Sequence, residues 1–319
     1  MLAKQSETPL WFDSFAPLFL VIAYHSKVKI DDIHHPTNHM VEAVLLGVAQ
    51  DGGRPQAGCQ KNCCKNVSAS EVAFPVSLGV VEEDTLHLID VSRSLAQQLQ
   101  FVNINSIGHV FLTHAHFGHV DGLGLFGKET MNLRDVPLHL SASMYDLLVA
   151  TPHWKLLLDD GVFSPQIFSH HVPIVISSTL SFTPLHVPHR AELSDTHAFL
   201  VKSGDSTLLY LPDHDSWQQT LGQHDIRSWL AELEVDVALI DGTFWNLDEL
   251  QNRKQTEVPH PPVSETITML GEKREGDPDI VFIHLNHTNP IHDANSEEAI
   301  DVRRLGWEIG HQGQRFSLG

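Results

Sequence analysis

The apolar residues of this chain come in short, β-branched runs separated by polar turns, a spacing that predicts strands with helices between them. In the first half, "VEAVLLGVA" (41–49), "FPVSLGVV" (74–81), "TLHLIDV" (85–91) and "HVFLT" (109–113) read as strands. "SRSLAQQLQ" (92–100), with Ser92 as its cap, and "SASMYDLLVA" (141–150) read as helices. In the second half the pattern predicts strands at 172–177, 180–187, 197–203, 207–212, 236–241 and 280–285, and helices near 216–234 and 263–272. Two halves that each run through strands into helices predict an α/β fold: two packed mixed β-sheets with helices outside, a four-layer αββα sandwich.

Residues 1–40 break this pattern. Their apolar run "PLFLVIAY" (17–24) is shorter than the roughly 20 residues a membrane span needs, and it lacks the flanks of a secretion signal. They read as an N-terminal extension, closed by the polar linker "DDIHHPTNHM", ahead of one domain over 41–319. Membrane attachment is not expected, and no oligomeric state is selected.

Charge narrows the partners. With 40 acidic against 20 basic residues the formal charge is −20, which repels a phosphate backbone, so nucleic acid is set aside in favour of a small-molecule substrate. "DGG" (51–53) has no phosphate-loop context, and there is no GxSxG for a serine nucleophile. The three cysteines, Cys59, Cys63 and Cys64, form a local, odd-numbered cluster, which suits part of a metal site in a reducing, cytoplasmic compartment better than a disulfide framework.

Among 23 histidines, "LTHAHFGHVDGLG" (112–124) concentrates His114, His116 and His119 just past a predicted strand. His114 and His116, two apart on an extended segment, project to one side and can bind one ion at about 2.0–2.1 Å. His119, at a helix start, can reach a neighbouring position. Later strand ends offer His189, Asp213 and His284. His260, in "EVPHPP", is either a pocket-facing substrate or proton-transfer group or a structural loop histidine; Asp241 is expected to orient a ligand histidine, and Arg190 either binds an anion or makes a surface ion pair.

These motifs resemble the metallo-β-lactamase fold superfamily, whose signature HxHxDH is followed by an isolated His, an Asp and a terminal His. "LLGVAQDGGRPQAGCQKNCC", "VPHRAELSDT", "DGTF" and "FIHLNHTNP" are most similar to the group of the pyrroloquinoline quinone biosynthesis protein B, with features of the phosphonate-pathway cyclic phosphodiesterase. The resemblance implies that His114, His116 and His189 hold a first metal, that Asp213 bridges, and that His119 and His284 serve a second. Gly118 departs from it, standing where the signature has Asp, so the second position is expected to be weak or empty, with Asp121 and Asp215 as nearby acids that compensate or merely solvate a loop. The phosphodiesterase also implies a structural zinc, here on Cys59, Cys64 and His287 with Cys63 as an additional candidate, although Lys61 replaces its middle cysteine; three free thiols are the alternative.

The expected activity is a metal-dependent hydrolase acting on a small ester, phosphodiester or amide, with Asp213 orienting the attacking water and His260 as a further catalytic candidate. Zinc is the expected ion, with iron or manganese as alternatives at the catalytic site. Iron-dependent oxygenation or hydroxylation, and a non-catalytic carrier, are the competing readings.

Overall fold

The computed structural model describes residues 41–250 and 258–319; the predicted N-terminal extension lies outside the described residues. Two seven-stranded sheets face one another. The first is built from β1 (Val41–Gly47), β2 (Ser77–Glu82), β3 (Thr85–Ile89), β4 (Ser106–Phe111), β5 (Val136–Leu140), β6 (Phe163–Ile167) and β14 (Arg315–Leu318), in the order β14-β1-β2-β3-β4-β5-β6. The second is built from β7 (Ile174–Val175), β8 (Leu180–Val187), β9 (Thr196–Ser203), β10 (Ser206–Leu211), β11 (Val237–Asp241), β12 (Asp279–Ile283) and β13 (Glu308–Ile309), in the order β13-β12-β11-β10-β9-β8-β7. Each sheet passes from antiparallel pairing into parallel pairing, at β3–β4 in the first and at β10–β11 in the second.

The inner faces interdigitate through Leu45, Phe111, Phe182, Phe199, Tyr210 and Leu239, all fully buried. Phe111 stacks on Phe182 across the sheets with ring centres 4.1 Å apart. The short α1 (Asn62–Lys65) lies in the loop after β1, and outside the first sheet lie α2 (Leu95–Gln98), α4 (Ala142–Ala150) and α5 (Pro152–Asp159), burying Leu95, Met144, Leu148 and Leu157. Outside the second lie α6 (Trp217–Leu221), α7 (Ile226–Glu232), α8 (Val263–Leu270) and α9 (Glu297–Arg304). The four layers match the predicted sandwich.

Several elements depart from the sequence pattern. The helix predicted over 216–234 is two helices, because Gly222 takes φ 61° and ends α6, after which Asp225 caps α7 by accepting from the Ser228 N–H at 2.9 Å. The strands β5 and β6 went unpredicted: each is five residues long and contains a proline, which the outermost strand β6 tolerates because it needs no outer ladder bond. The C-terminal β14 returns to pair with β1, so the first sheet is not made by the first half of the chain alone. Among the described residues no helix is long and apolar enough to cross a membrane.

A histidine lies among these packed rings. His87 on β3 sits 5.3 Å from the His109 ring and 6.2 Å from Phe182, and burial, reinforced by His109, holds it down at about 4. A folded-state value below the unfolded one means that stability is complete above pH ~6.5 and is lost as pH falls toward 4, since the unfolded chain takes up the proton first. His87→Leu is therefore expected to make the urea midpoint less acid-sensitive, sparing roughly 2 kcal/mol at pH 5 relative to pH 8. Parallel pH dependence in the two proteins would show that His87 does not contribute.

Candidate metal centre

The site lies along one rim of the sandwich, where strands end. β4 ends at Phe111, and the following residues carry His114 and His116 to α3 (Phe117–Val120), one short helix that presents His119. His189 follows β8, Asp213 follows β10 and His284 follows β12; His260 precedes α8. His284 holds a left-handed φ of 60°, an unfavoured conformation for a side-chain-bearing residue that is common where a site fixes the backbone. Apart from half-buried His116, these side chains are buried.

The structure brings together the residues singled out from the sequence. One donor atom from each of His114, His116, His189 and Asp213 lies within 4.8 Å of the others, and the same holds for Asp213, His260 and His284. A third group unites His119 and His284 with Asp51, a residue the sequence pattern did not select. His189 Nε2 is 3.6 Å from Asp213 Oδ1, while His119 Nε2 and His284 Nε2 are 3.2 and 3.4 Å from Asp213 Oδ2. Ligands held at about 2.1 Å around a tetrahedral ion are about 3.4 Å apart. The three spacings match that edge, and each Asp213 oxygen faces a different set of imidazoles.

The imidazoles are oriented from behind. His119 Nδ1 donates to Asp90 Oδ2 at 2.6 Å, His189 Nδ1 to Asp215 Oδ1 at 3.0 Å and His260 Nδ1 to Asp241 Oδ2 at 2.6 Å. His284 Nδ1 donates to Thr243 Oγ1 at 2.8 Å, and that hydroxyl donates to Asp241 Oδ1 at 2.7 Å. His114 Nδ1 donates to Thr113 Oγ1 at 2.9 Å, which in turn donates to Asp90. Each ring thereby turns its Nε2 inward. The Nε2 atoms of His119, His189, His260 and His284 and Asp213 Oδ2 are buried with no hydrogen-bond partner. Unpaired buried polar atoms are costly, and cations bound among them would offset that cost.

The electrostatics agree. Burial takes His114 well below its ordinary value and His116 to about 4, so both imidazoles are neutral at neutral pH. Against its burial, Asp213 is kept well below the carboxylate range by His284 and His119. Burial likewise lowers His119, yet Asp90 and Asp213 together carry it well above the usual histidine value: the pocket attracts positive charge. His260 is also raised despite burial, by Asp241.

The acids weighed as substitutes at position 118 have other partners. Asp121 pairs with Arg93 at 2.7 Å, and Asp215 sits behind His189. Asp51 instead faces the centre, its Oδ1 3.5 Å from His119 Nε2. Arg190 reaches 3.4 Å from His116 Nε2 at the mouth, with Glu192 at 3.7 Å.

A separate cluster joins the loop after β1 to the loop after β12. Cys59, Cys63, Cys64 and His287 each bring one donor atom within 4.8 Å of the others. Cys63 Sγ is 3.9 Å from both Cys59 Sγ and Cys64 Sγ, and His287 Nδ1 is 3.5 Å from Cys63 Sγ and 3.3 Å from Cys64 Sγ. Zinc–sulfur bonds of about 2.3 Å in a tetrahedron set sulfur atoms about 3.8 Å apart, so the spacing fits a closed Cys3His site despite adjacent Cys63 and Cys64.

The family model described as "Beta-lactamase superfamily domain" matches residues 87–285. The chain is 26% identical over 316 residues to the coenzyme PQQ synthesis protein B of Cupriavidus necator, covering 88% of this chain and 100% of that one. It is 25% identical over 319 residues to the protein of the same name from Xanthomonas campestris pv. campestris, covering 86% and 99%. Among solved structures, Zn(2+)-bound PqqB from Methylobacterium extorquens superposes with a TM-score of 0.71 at 20% identity, covering 86% of this chain and 99% of that one. A diphosphatase from the PhnP family superposes with a TM-score of 0.62 at 19% identity, covering 88% and 98%. At these identities the solved structures establish the fold.

Proposed function

The chain belongs to the beta-lactamase superfamily, and from that premise we propose that it is a metal-dependent hydrolase of a small ester, phosphodiester or amide. The observation that supports this most strongly is that Asp213 is enclosed by buried imidazoles whose Nε2 atoms have no hydrogen-bond partner, His189 facing its Oδ1 and His119 and His284 its unpartnered Oδ2. In this reading His114, His116, His189 and Asp213 hold the catalytic ion. Such an ion, zinc in the first instance, polarises the scissile bond and makes a water nucleophilic near neutral pH.

The chain's own groups do the rest. Asp213, with two oxygens turned to two groups of imidazoles, orients the attacking water. His260 keeps its Nδ1 on Asp241 and its Nε2 free, which suits it to deliver a proton to the leaving group. Arg190 at the mouth attracts an anionic substrate group, and the acidic chain as a whole disfavours nucleic acid. Cys59, Cys63, Cys64 and His287 hold a structural zinc away from the reaction.

Dialysis against a strong chelator is expected to abolish turnover of a chromogenic phosphodiester or ester, and zinc or manganese to restore it. Full turnover by metal-free protein would end the reading. Elemental analysis of the unchelated protein decides the ion. Iron lost on His114→Ala, with oxygen consumed during turnover, would replace hydrolysis by oxygenation.

A further inference from the structure

The signature position that lacks its acid is not empty space. A Cβ built on Gly118 would overlap the Asp51 carboxylate, standing 2.5 Å from Asp51 Cα and 2.9 Å from its Cγ. The volume that a side chain at position 118 would enter is thus filled by Asp51, from the loop after β1. Its Oδ1 is buried without a hydrogen-bond partner and lies 3.5 Å from His119 Nε2, which is itself unpartnered. Asp51, His119 and His284 form one donor group, and Asp213 Oδ2 lies 3.2 and 3.4 Å from the two imidazoles.

We propose that Asp51 supplies, from a different strand end, the carboxylate absent at position 118, so that Asp51, His119, His284 and Asp213 form a complete second cation site beside the first. The inference rests on the metal-dependent reading above and replaces the expectation that the second position is weak. Two carboxylates and two imidazoles give this position the charge and donor number a divalent ion requires, with spacings of 3.2–3.5 Å that match a tetrahedral edge better than a hydrogen bond. Gly118 follows from the same geometry: with Asp51 in place no side chain fits there.

The backbone fixes Asp51 independently of any ion. Ala49 bridges to both Pro75 and Leu285, the Gln50 N–H donates to the Leu285 carbonyl at 2.9 Å, and the Leu285 N–H donates to the Val48 carbonyl at 2.8 Å. Leu285 adjoins His284, so one cross-sheet pairing positions two of the four ligands.

The test counts zinc per chain by elemental analysis after equilibrium dialysis, with cobalt absorption as a second readout, on full-length protein. Wild type is expected to hold three ions, two at this centre and one on the cysteine cluster. Asp51→Ala and the near-isosteric Asp51→Asn are expected to hold two. Asp51→Ala combined with Gly118→Asp, which returns the acid to the vacated volume, is expected to hold three. Ion counts equal in wild type and both single variants, or a double variant that holds no more than Asp51→Ala, would overturn the assignment, the latter by making Asp51 a loop-shaping residue. His114→Ala separates the two readings. If it loses no ion, the metal-dependent reading fails; if it loses one while Asp51→Asn loses none, only the role of Asp51 fails.

Discussion

Asp213→Asn is expected to lower kcat/KM on any substrate the protein turns over by on the order of 10³-fold, and to weaken both ions of the centre together. Groups that only orient a ligand typically cost about 10–100-fold in metal affinity or activity when removed. Asp213 lies inside that shell, with Oδ1 turned to His189 and Oδ2 to His119 and His284, so one amide substitution removes negative charge from both positions. Asn keeps the size of the side chain, which is 2% exposed, so overall packing is retained and far-ultraviolet circular dichroism should not change. The comparison with His114→Ala is the informative one: His114 faces only the first position, so that variant should lose one ion and keep the other. Activity within tenfold of wild type in Asp213→Asn, or loss of a single ion, would remove the bridging role.

Much of this centre was legible in the sequence because strand periodicity carries positional information. Where an apolar run stops and His or Asp follows, the polar side chain stands on the rim; His114, His189, Asp213 and His284 all meet that condition, and the structure gathers them. Asp241 was likewise readable as an orienting group, and it accepts from both His260 and Thr243. Asp51 was not. In "AQDGG" an aspartate before two glycines reads as an ordinary turn former, and its arrival at His119 depends on pairing of residues 48–50 with Leu285, more than 200 positions away. The orienting Asp90 was hidden for a related reason: it ends a strand that reads as core, and its φ of 63° turns it inward. Asp121 looked relevant because it is near in sequence, yet its carboxylate pairs with Arg93 at 2.7 Å. Strand-end position located the histidines and Asp213, whereas Asp51 reaches His119 only through contacts between the sheets.

The same cross-sheet pairing makes the cysteine cluster matter to a centre it does not touch. Cys59, Cys63 and Cys64 follow Asp51 on the loop after β1, and His287 lies three residues beyond His284 on the loop after β12. An ion held there ties together the two segments that deliver Asp51 and His284. Burial and the Cys59 and Cys64 sulfurs push the Cys63 thiol up to about 12, so without a cation the cluster is held by weak contacts among the sulfurs and His287 Nδ1 at 3.3–3.9 Å. Cys64→Ser is accordingly expected to release the structural ion. A site filled at about a hundred times its Kd contributes roughly 2.7 kcal/mol to the folded state, which for a domain of this size corresponds to a fall in Tm on the order of 5 °C. Zinc analysis should show a graded loss: the structural ion gone, the ion on Asp51, His119 and His284 weakened, and the ion on His114, His116 and His189 retained, because those three hang from β4 and β8. His287→Ala should reproduce the pattern from the opposite loop. A Tm unchanged in both variants would show that the cluster holds no structural ion, whereas a lower Tm with the second ion bound as tightly as before would show that the β1–β12 pairing alone positions Asp51.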